Sequence, residues 1–324
     1  MPFHCSHAII TPDPRGRLAW RNGFSVGSQV GKRYQAGPWS ATAIRDARKQ
    51  LDRGRLVVLT AGVPYKCPAA PYEAALLLDH DLRKRKLRDR VEVAVYAWDP
   101  APMGVAGPEI SGAVLDLLGE QGIPYHPGHQ VTSVDWATGT LHFGNGAAAH
   151  FDLLVYVPPH VAQDVVKRAG LLGESGWAPV DRHTMETGSQ GVYPIGDLTG
   201  IPLAIGMPLP KAGVFAHHQA EAVAQTIASE ITGNGNGGRY EGARECFIEI
   251  GGGKAGFGRG NSYAEPSPMA KLHRPTRYWH AAKVLFEKDW FRRWLSGSVR
   301  SDSAASTGSP PPPRGDAGLC RARA

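Results

Sequence analysis

The segment from Arg55 to Leu82 constrains the fold more than any other part of this chain. It runs Arg55-Leu-Val-Val-Leu-Thr-Ala-Gly-Val-Pro-Tyr-Lys-Cys-Pro-Ala-Ala-Pro-Tyr-Glu73 and continues as an apolar stretch to Leu82. Leu56–Thr60 is a short apolar run of buried-strand type. Gly62 and Pro64 turn the chain, and Ala69 to Leu82 has helical composition. A strand–turn–helix usually carries G-x-G-x-x-G, so that a pyrophosphate can approach bare backbone. Here prolines and the thiol of Cys67 occupy the turn. That pattern suits a cysteine presented near a helix N-terminus, where the dipole lowers a thiol pKa. It does not suit a nicotinamide pyrophosphate.

Around this segment the pattern is that of an α/β chain. Leu56–Thr60, Ala69–Leu87 and Val91–Tyr96 give strand, helix and strand, a βαβ unit. Ala41 to Leu51 and Glu109 to Gly122 are further expected helices. His129–Trp136, Gly139–Phe143 and Phe151–Val157, separated by turn residues, are expected to form a β-meander. Val192–Asp197 is expected as a short strand ending on an acid, and Ala212–Ile231 as a helix. Ala8–Thr11 and Gly16–Trp20 resemble a short hairpin. The Gly/Asn-rich run 233–238 is an expected loop, and residues 297–324, rich in Ser, Ala, Gly and Pro, are expected to be disordered.

The composition excludes several classes. With 324 residues and 42% hydrophobic content the chain is globular, without an apolar run of transmembrane length. Its start lacks a basic region followed by an apolar core, so the cytoplasm is the expected compartment. The cysteines, at 5, 67, 246 and 320, make neither a disulfide framework nor a C-x-x-C zinc site, and no metal centre is expected. His4, Cys5 and His7 cluster at the terminus, which favours a mobile end over a metal site. The net charge is +7, and Lys271 to Arg300 holds eight Lys/Arg against Glu287 and Asp289. No RNA-binding signature or helix-turn-helix accompanies that excess, which argues against nucleic acid. Gly251–Gly256 matches G-x-G-x-x-G, but Pro266 and Pro268 follow soon after and no helix can be read there.

Five motifs stand in order along the chain. They are Pro64-Tyr-Lys-Cys-Pro-Ala-Ala-Pro-Tyr-Glu73, Phe151-Asp-Leu-Leu-Val-Tyr-Val-Pro-Pro-His160, Val192-Tyr-Pro-Ile-Gly-Asp197, Leu209-Pro-Lys-Ala-Gly-Val-Phe-Ala216 and Glu245-Cys-Phe-Ile-Glu249. Together they resemble the sulfide:quinone oxidoreductase and flavocytochrome c sulfide dehydrogenase group of FAD-dependent pyridine nucleotide-disulfide oxidoreductases, from about residue 50 to 295. The resemblance implies a tandem Rossmann-like fold. A first strand with G-x-G-x-x-G, which that group uses for the ADP half of FAD, has no counterpart before residue 50, so the first Rossmann half is expected to be truncated. The domain reading follows: 1–50 a remnant of the FAD domain; 51–160 the βαβ unit with its meander; 161–232 a second FAD-contacting segment; 233–296 a C-terminal segment; 297–324 a tail.

The same resemblance implies the site. Gly196 and Asp197 would meet FAD, the glycine allowing close approach and the carboxylate reaching a ribitol hydroxyl. Pro210, Lys211, Ala212 and Gly213 would open a helix toward the electron-rich edge of the flavin. Lys211 would add a positive charge there. Cys67 and Cys246 would form the redox pair, one holding sulfane sulfur and the other exchanging electrons with the flavin. A third cysteine, common in the group some thirty residues earlier, is absent around Ser40. Glu73 matches a glutamate of the group; a carboxylate there is placed to relay protons during sulfur transfer, and is equally an ordinary acid in a helix's first turn. Sulfide or polysulfide and a quinone are the implied partners, with a homodimer as an option. Residues 280–295 interleave aromatics with Lys and Arg, which fits either an interfacial helix on a membrane's cytoplasmic face or an amphipathic helix packed on its own domain. Two alternatives stay open: an NAD(P)H-dependent flavin oxidoreductase, and a non-enzymatic binding module without FAD.

Overall fold

The computed structural model describes residues 25–30, 33–38 and 41–295. Its elements in chain order are β1 (Ser25–Val30), β2 (Arg33–Pro38), α1 (Ala41–Gln50), β3 (Gly54–Thr60), α2 (Ala70–Lys84), β4 (Val91–Ala97), α3 (Pro108–Glu120) and β5 (Tyr125–His126). Next come β6 (Val131–Asp135), β7 (Thr140–Phe143), β8 (Ala148–His150), β9 (Leu153–Val157), α4 (Asp164–Arg168), β10 (Ala178–Pro179) and β11 (Thr199–Gly200). The last are α5 (Gly213–Thr232), β12 (Ala243–Gly251), β13 (Lys254–Asn261), β14 (Met269–Thr276) and α6 (Arg277–Leu295).

The apolar run of β3 is explained by burial on both faces. The main sheet has the order β2-β1-β9-β3-β4-β5, with β9, β3, β4 and β5 parallel. Leu56 and Val58 enter a core with Tyr72 and Leu76 of α2, Ile110 and Val114 of α3, and Ile248 of β12. Val57 and Leu59 point to the other face, against Leu141, Phe143 and Ala149 of the small sheet β6-β7-β8 and the adjoining Phe151. Each fully buried Val or Leu on this strand contributes roughly 1.5–3 kcal/mol. The carboxyl end of β3 therefore emerges from a rigid platform, and the turn bearing Cys67 grows from it.

A third core holds Met185, Ile201, Leu203, Leu209, Phe215 and Val223 with Tyr240 and Tyr263. It fixes α5 against the long excursion between α4 and α5. The antiparallel sheet β12-β13-β14 lies against α2 and α3. The chain divides after Lys283 into two compact units. In the second, the rings of Phe286, Trp290 and Trp294 follow one another along the helix at 6.0 and 5.9 Å. Among the described residues, no helix is long and apolar enough to cross a membrane.

Two expected elements differ. The meander's third strand is Ala148–His150, whereas Leu153–Val157 crosses into the main sheet between β1 and β3. Its five consecutive buried residues need cover on both faces, which a meander edge cannot give. Val192–Ile195 forms no strand: Ile195 is extended, but no neighbouring strand pairs with it among the described residues, and Gly196–Leu198 closes one 3-10 turn. Gly251–Gly253, all at positive φ, make the turn between β12 and β13, with a strand rather than a helix following. The expected hairpin near residues 8–20, the His4–Cys5–His7 cluster, Cys320 and the 297–324 tail lie outside the described residues.

Candidate functional site

Cys67 sits at φ 58°, three residues ahead of α2. Its backbone N–H donates to Lys211 O at 2.6 Å, and its own carbonyl accepts from Ala70 N at 2.9 Å. The same turn is clamped to the end of the 151–160 motif. His160 N donates to Pro64 O at 2.7 Å, and Lys66 N donates to His160 Nδ1 at 2.8 Å. Burial, then Lys66 and Lys211, pushes the His160 pKa down to about 4, so the ring stays neutral and can accept that bond. Gly62 is required by closeness, since a side chain there would begin 2.9 Å from Pro159 Cγ.

Cys246 arrives on β12. Both cysteines line one cavity of about 410 Å³, together with Met103, Leu209, Phe215 and Phe247. Neither is in a disulfide. Cys246 is exposed and borders this cavity, and the protein around it desolvates the thiol. That desolvation, followed by the charge of Glu73, pushes its pKa up to about 11, while Lys283 pulls the other way.

Glu73 is more than a solvated first-turn acid. Its Oε1 accepts from Glu249 N at 3.0 Å and from Lys283 Nζ at 3.3 Å. Lys283 also lies 3.5 Å from Glu249, whose carboxylate meets His280 Nδ1 at 2.9 Å. Burial raises the Glu73 pKa against the opposing pull of Lys283. A carboxyl that can hold a proton thus stands within electrostatic reach of Cys246. Periodicity around 280–295 indicated an amphipathic helix only; it carried no signal that His280 and Lys283 turn to these two glutamates.

Of the residues expected to hold a flavin, three line the same cavity, and Gly196, Asp197 and Gly213 are not among its lining. Pro210, Lys211 and Ala212 line it. Ala212 is extended, no side chain caps α5, and the space beside Gly213 is open for 4 Å. The free N–H groups of a 20-residue helix therefore begin at the cavity wall. Gly196, at φ 64°, donates its N–H to Gln219 Oε1 at 2.6 Å and packs against Ala216. Asp197 is 42% exposed, with Lys66 Nζ at 3.8 Å. The ammonium of Lys211 turns inward: it donates to Thr199 O and lies 3.8 Å over the Trp177 ring. Burial lowers its pKa to about 8. These residues fit the flavin half of FAD, with a carboxylate for a hydroxyl and a helix N-terminus for an electron-rich edge.

Comparison with known proteins now bears on this arrangement. A sulfide-quinone reductase of Aquifex aeolicus (strain VF5) is 25% identical over 258 residues, covering 75% of this chain and 59% of that protein. The mitochondrial sulfide:quinone oxidoreductase of Schizosaccharomyces pombe is 24% identical over 201 residues, 58% of this chain and 41% of that one. The crystal structure of the Aquifex aeolicus enzyme superposes with a TM-score of 0.66 at 22% identity, over 78% of this chain and 61% of that one. The chain is a relative of the sulfide:quinone oxidoreductases and shares their fold. It spans about 59% of the length of the first of these relatives. No family model matches it.

Proposed function

We propose that this chain carries the sulfur-oxidising site of a FAD-dependent oxidoreductase acting on sulfide or polysulfide, with a quinone as acceptor. One observation carries the reading: Cys67 and Cys246, far apart in sequence, line a single apolar cavity onto which the uncapped N-terminus of α5 opens. Two thiols suit two-electron chemistry. When the pair is oxidised to a disulfide, attack by HS⁻ breaks the S–S bond, forms a persulfide on one cysteine and leaves the other as thiolate. FAD, when bound, would supply the two-electron acceptor. The persulfide and thiolate would then close to a trisulfide bridge, from which a second HS⁻ would carry the sulfane sulfur away as HSS⁻ and leave the disulfide. Asp197, Pro210, Ala212 and Gly213 would hold its flavin half, with Gly196 shaping the turn. Glu73 would take up and release the proton of the attacking sulfur, with Lys283 setting its charge state. The 284–295 segment, which exposes Leu285, Phe291, Trp294 and Leu295, would rest on the membrane that supplies the quinone.

The test is rapid mixing of FAD-loaded protein with sulfide under anaerobic conditions. The flavin band should bleach in the wild type and persist in Cys67→Ser and Cys246→Ser. Bleaching at the wild-type rate in either variant would remove the pair from the mechanism.

A further inference from the structure

The cavity holds a charged group for which the redox reading has no use. Arg244 lines it, two residues before Cys246 on β12. Alternation along a strand puts Arg244, Cys246 and Ile248 on one face, with Glu245 and Phe247 on the other face also bordering the cavity. On the strand opposite, that face carries glycines. Arg244 pairs with Gly260, Cys246 with Gly258 and Ile248 with Gly256. Cross-strand partners share a face, so Gly258 removes a side chain that would otherwise stand beside the Cys246 thiol, and Gly260 lets the β14 backbone approach Arg244. At Gly258 the nearest heavy atom to an added Cβ is 3.7 Å away, so the bareness there is not forced by packing, whereas at Gly260 and Gly256 it is, with Met269 O at 1.9 Å and Ile248 Cγ2 at 3.0 Å.

The guanidinium is incompletely used. Nη2 donates to Met269 O at 3.2 Å and reaches Ala106 O at 3.5 Å. Nε is buried with no acceptor. Among the described residues no carboxylate lies within ion-pair distance of Arg244. Desolvation accordingly lowers its pKa, with only Tyr240 opposing. A half-buried cation without a counter-charge is costly unless an anion joins it. The rest of the lining is mostly apolar side chains such as Met103, Leu209 and Phe247, although Asp99, Lys211, Glu245 and Arg259 also border it. The apolar side chains favour a weakly hydrated, polarisable monoanion over a phosphate.

We propose that Arg244 and the glycine-bared face of β13 form an anion site that holds the charged end of a hydrosulfide or polysulfide beside Cys246. The sulfur identity of the anion rests on the function proposed above; the anion site itself does not. Through it the positive charge would concentrate HS⁻ in an apolar cavity and orient the terminal sulfur of a longer chain.

Charge-selective alkylation tests this without any flavin. Cys246 is modified in the native protein with iodoacetate, an anion, and with iodoacetamide, which is neutral. The ratio of the two rates cancels the thiolate fraction and most of the access term. Relative to the urea-unfolded chain, the native ratio should be about tenfold higher at low salt. It should fall to the unfolded value in Arg244→Gln and be largely retained in Arg244→Lys. Lys254→Gln, the same charge change at the β12–β13 turn, should leave it high. Thiocyanate should slow iodoacetate in the wild type and in Lys254→Gln but not in Arg244→Gln. A native wild-type ratio equal to that of the unfolded chain overturns the site even if no variant folds, as does an unchanged ratio in Arg244→Gln. A high, Arg244-dependent ratio in a protein whose flavin sulfide does not bleach would keep the anion site and overturn its assignment to sulfur.

Discussion

The backbone N–H of Cys67 donates to the carbonyl of Lys211 at 2.6 Å. That bond joins the turn after β3 to the start of α5, so the thiol and the helix N-terminus are positioned as one construction. His160 clamps the turn from the opposite side through Pro64 and Lys66.

The clamp predicts an acid-sensitive window. The folded His160 pKa lies near 4, below the ordinary 6.5. Between those values the unfolded chain binds the proton and the native one does not. Stability from this group is therefore complete above pH 6.5 and declines as pH falls toward 4, by up to roughly 3 kcal/mol. In His160→Gln, whose amide oxygen can still accept from Lys66 N, that part of the decline should vanish. Urea midpoints at pH 7 and pH 4.5 measure it. An identical pH 7-to-4.5 difference in the two proteins would count against the clamp.

Glu73 predicts a second effect with opposite sign. Its charge is the second cause, after burial, that raises the Cys246 thiol to about 11. Glu73→Gln removes that charge and leaves Lys283 in place, so the thiol pKa should drop. Iodoacetamide should then modify Cys246 about three- to tenfold faster at pH 8, corresponding to a shift of half to one unit. Lys283→Met should slow it. Equal rates in wild type and Glu73→Gln would mean that the carboxylate does not reach the thiol.

The β3–turn–α2 segment was legible because its signals are local. A five-residue apolar run, a proline turn and a helix start follow one another within thirty residues. The Cys67–Cys246 pairing in one cavity was legible only through resemblance, since spacing along a chain says nothing about which distant strand closes a cavity. Val192–Ile195 misled because its residues suit a strand, yet strand formation needs a neighbour that no local pattern supplies. The crossing of Leu153–Val157 into the main sheet was readable in principle: an unbroken apolar run demands two covered faces. Arg244 was missed although a period of two from Cys246 places it on the same face. Nothing local distinguished it from a surface arginine, because its lack of a carboxylate partner exists only in three dimensions.

The Cys67 turn also predicts donor selectivity. Its positive-φ position is occupied by cysteine, and Pro64, Pro68 and Pro71 surround it, so little bare backbone is presented to a pyrophosphate. FAD-loaded protein should therefore be bleached by sulfide and not by NADH or NADPH in the same stopped-flow interval. Reduction by NADH at a rate equal to that by sulfide would favour a nicotinamide-linked flavin reductase instead.

Gly196 offers the sharpest stability test, because a control glycine lies on the neighbouring helix. Its φ of 64° disfavours any side chain, and an added Cβ would fall 2.7 Å from Ala216 Cβ. Gly196→Ala combines backbone strain with overpacking, and should lose about 2–4 kcal/mol. Because the turn also carries Asp197 and is tied to Gln219, relaxation of the clash should move the carboxylate and weaken FAD binding. Gly213 has neither constraint: its φ is not positive, and nothing lies within 4 Å of the added carbon. Gly213→Ala should change stability by no more than about 0.5 kcal/mol. Any loss of FAD affinity there would report crowding at the helix N-terminus rather than unfolding. Urea denaturation and flavin fluorescence titration of both variants separate the cases. Equal stability of Gly196→Ala and Gly213→Ala would show that the turn at Asp197 tolerates a side chain and is not held by its contact with Ala216.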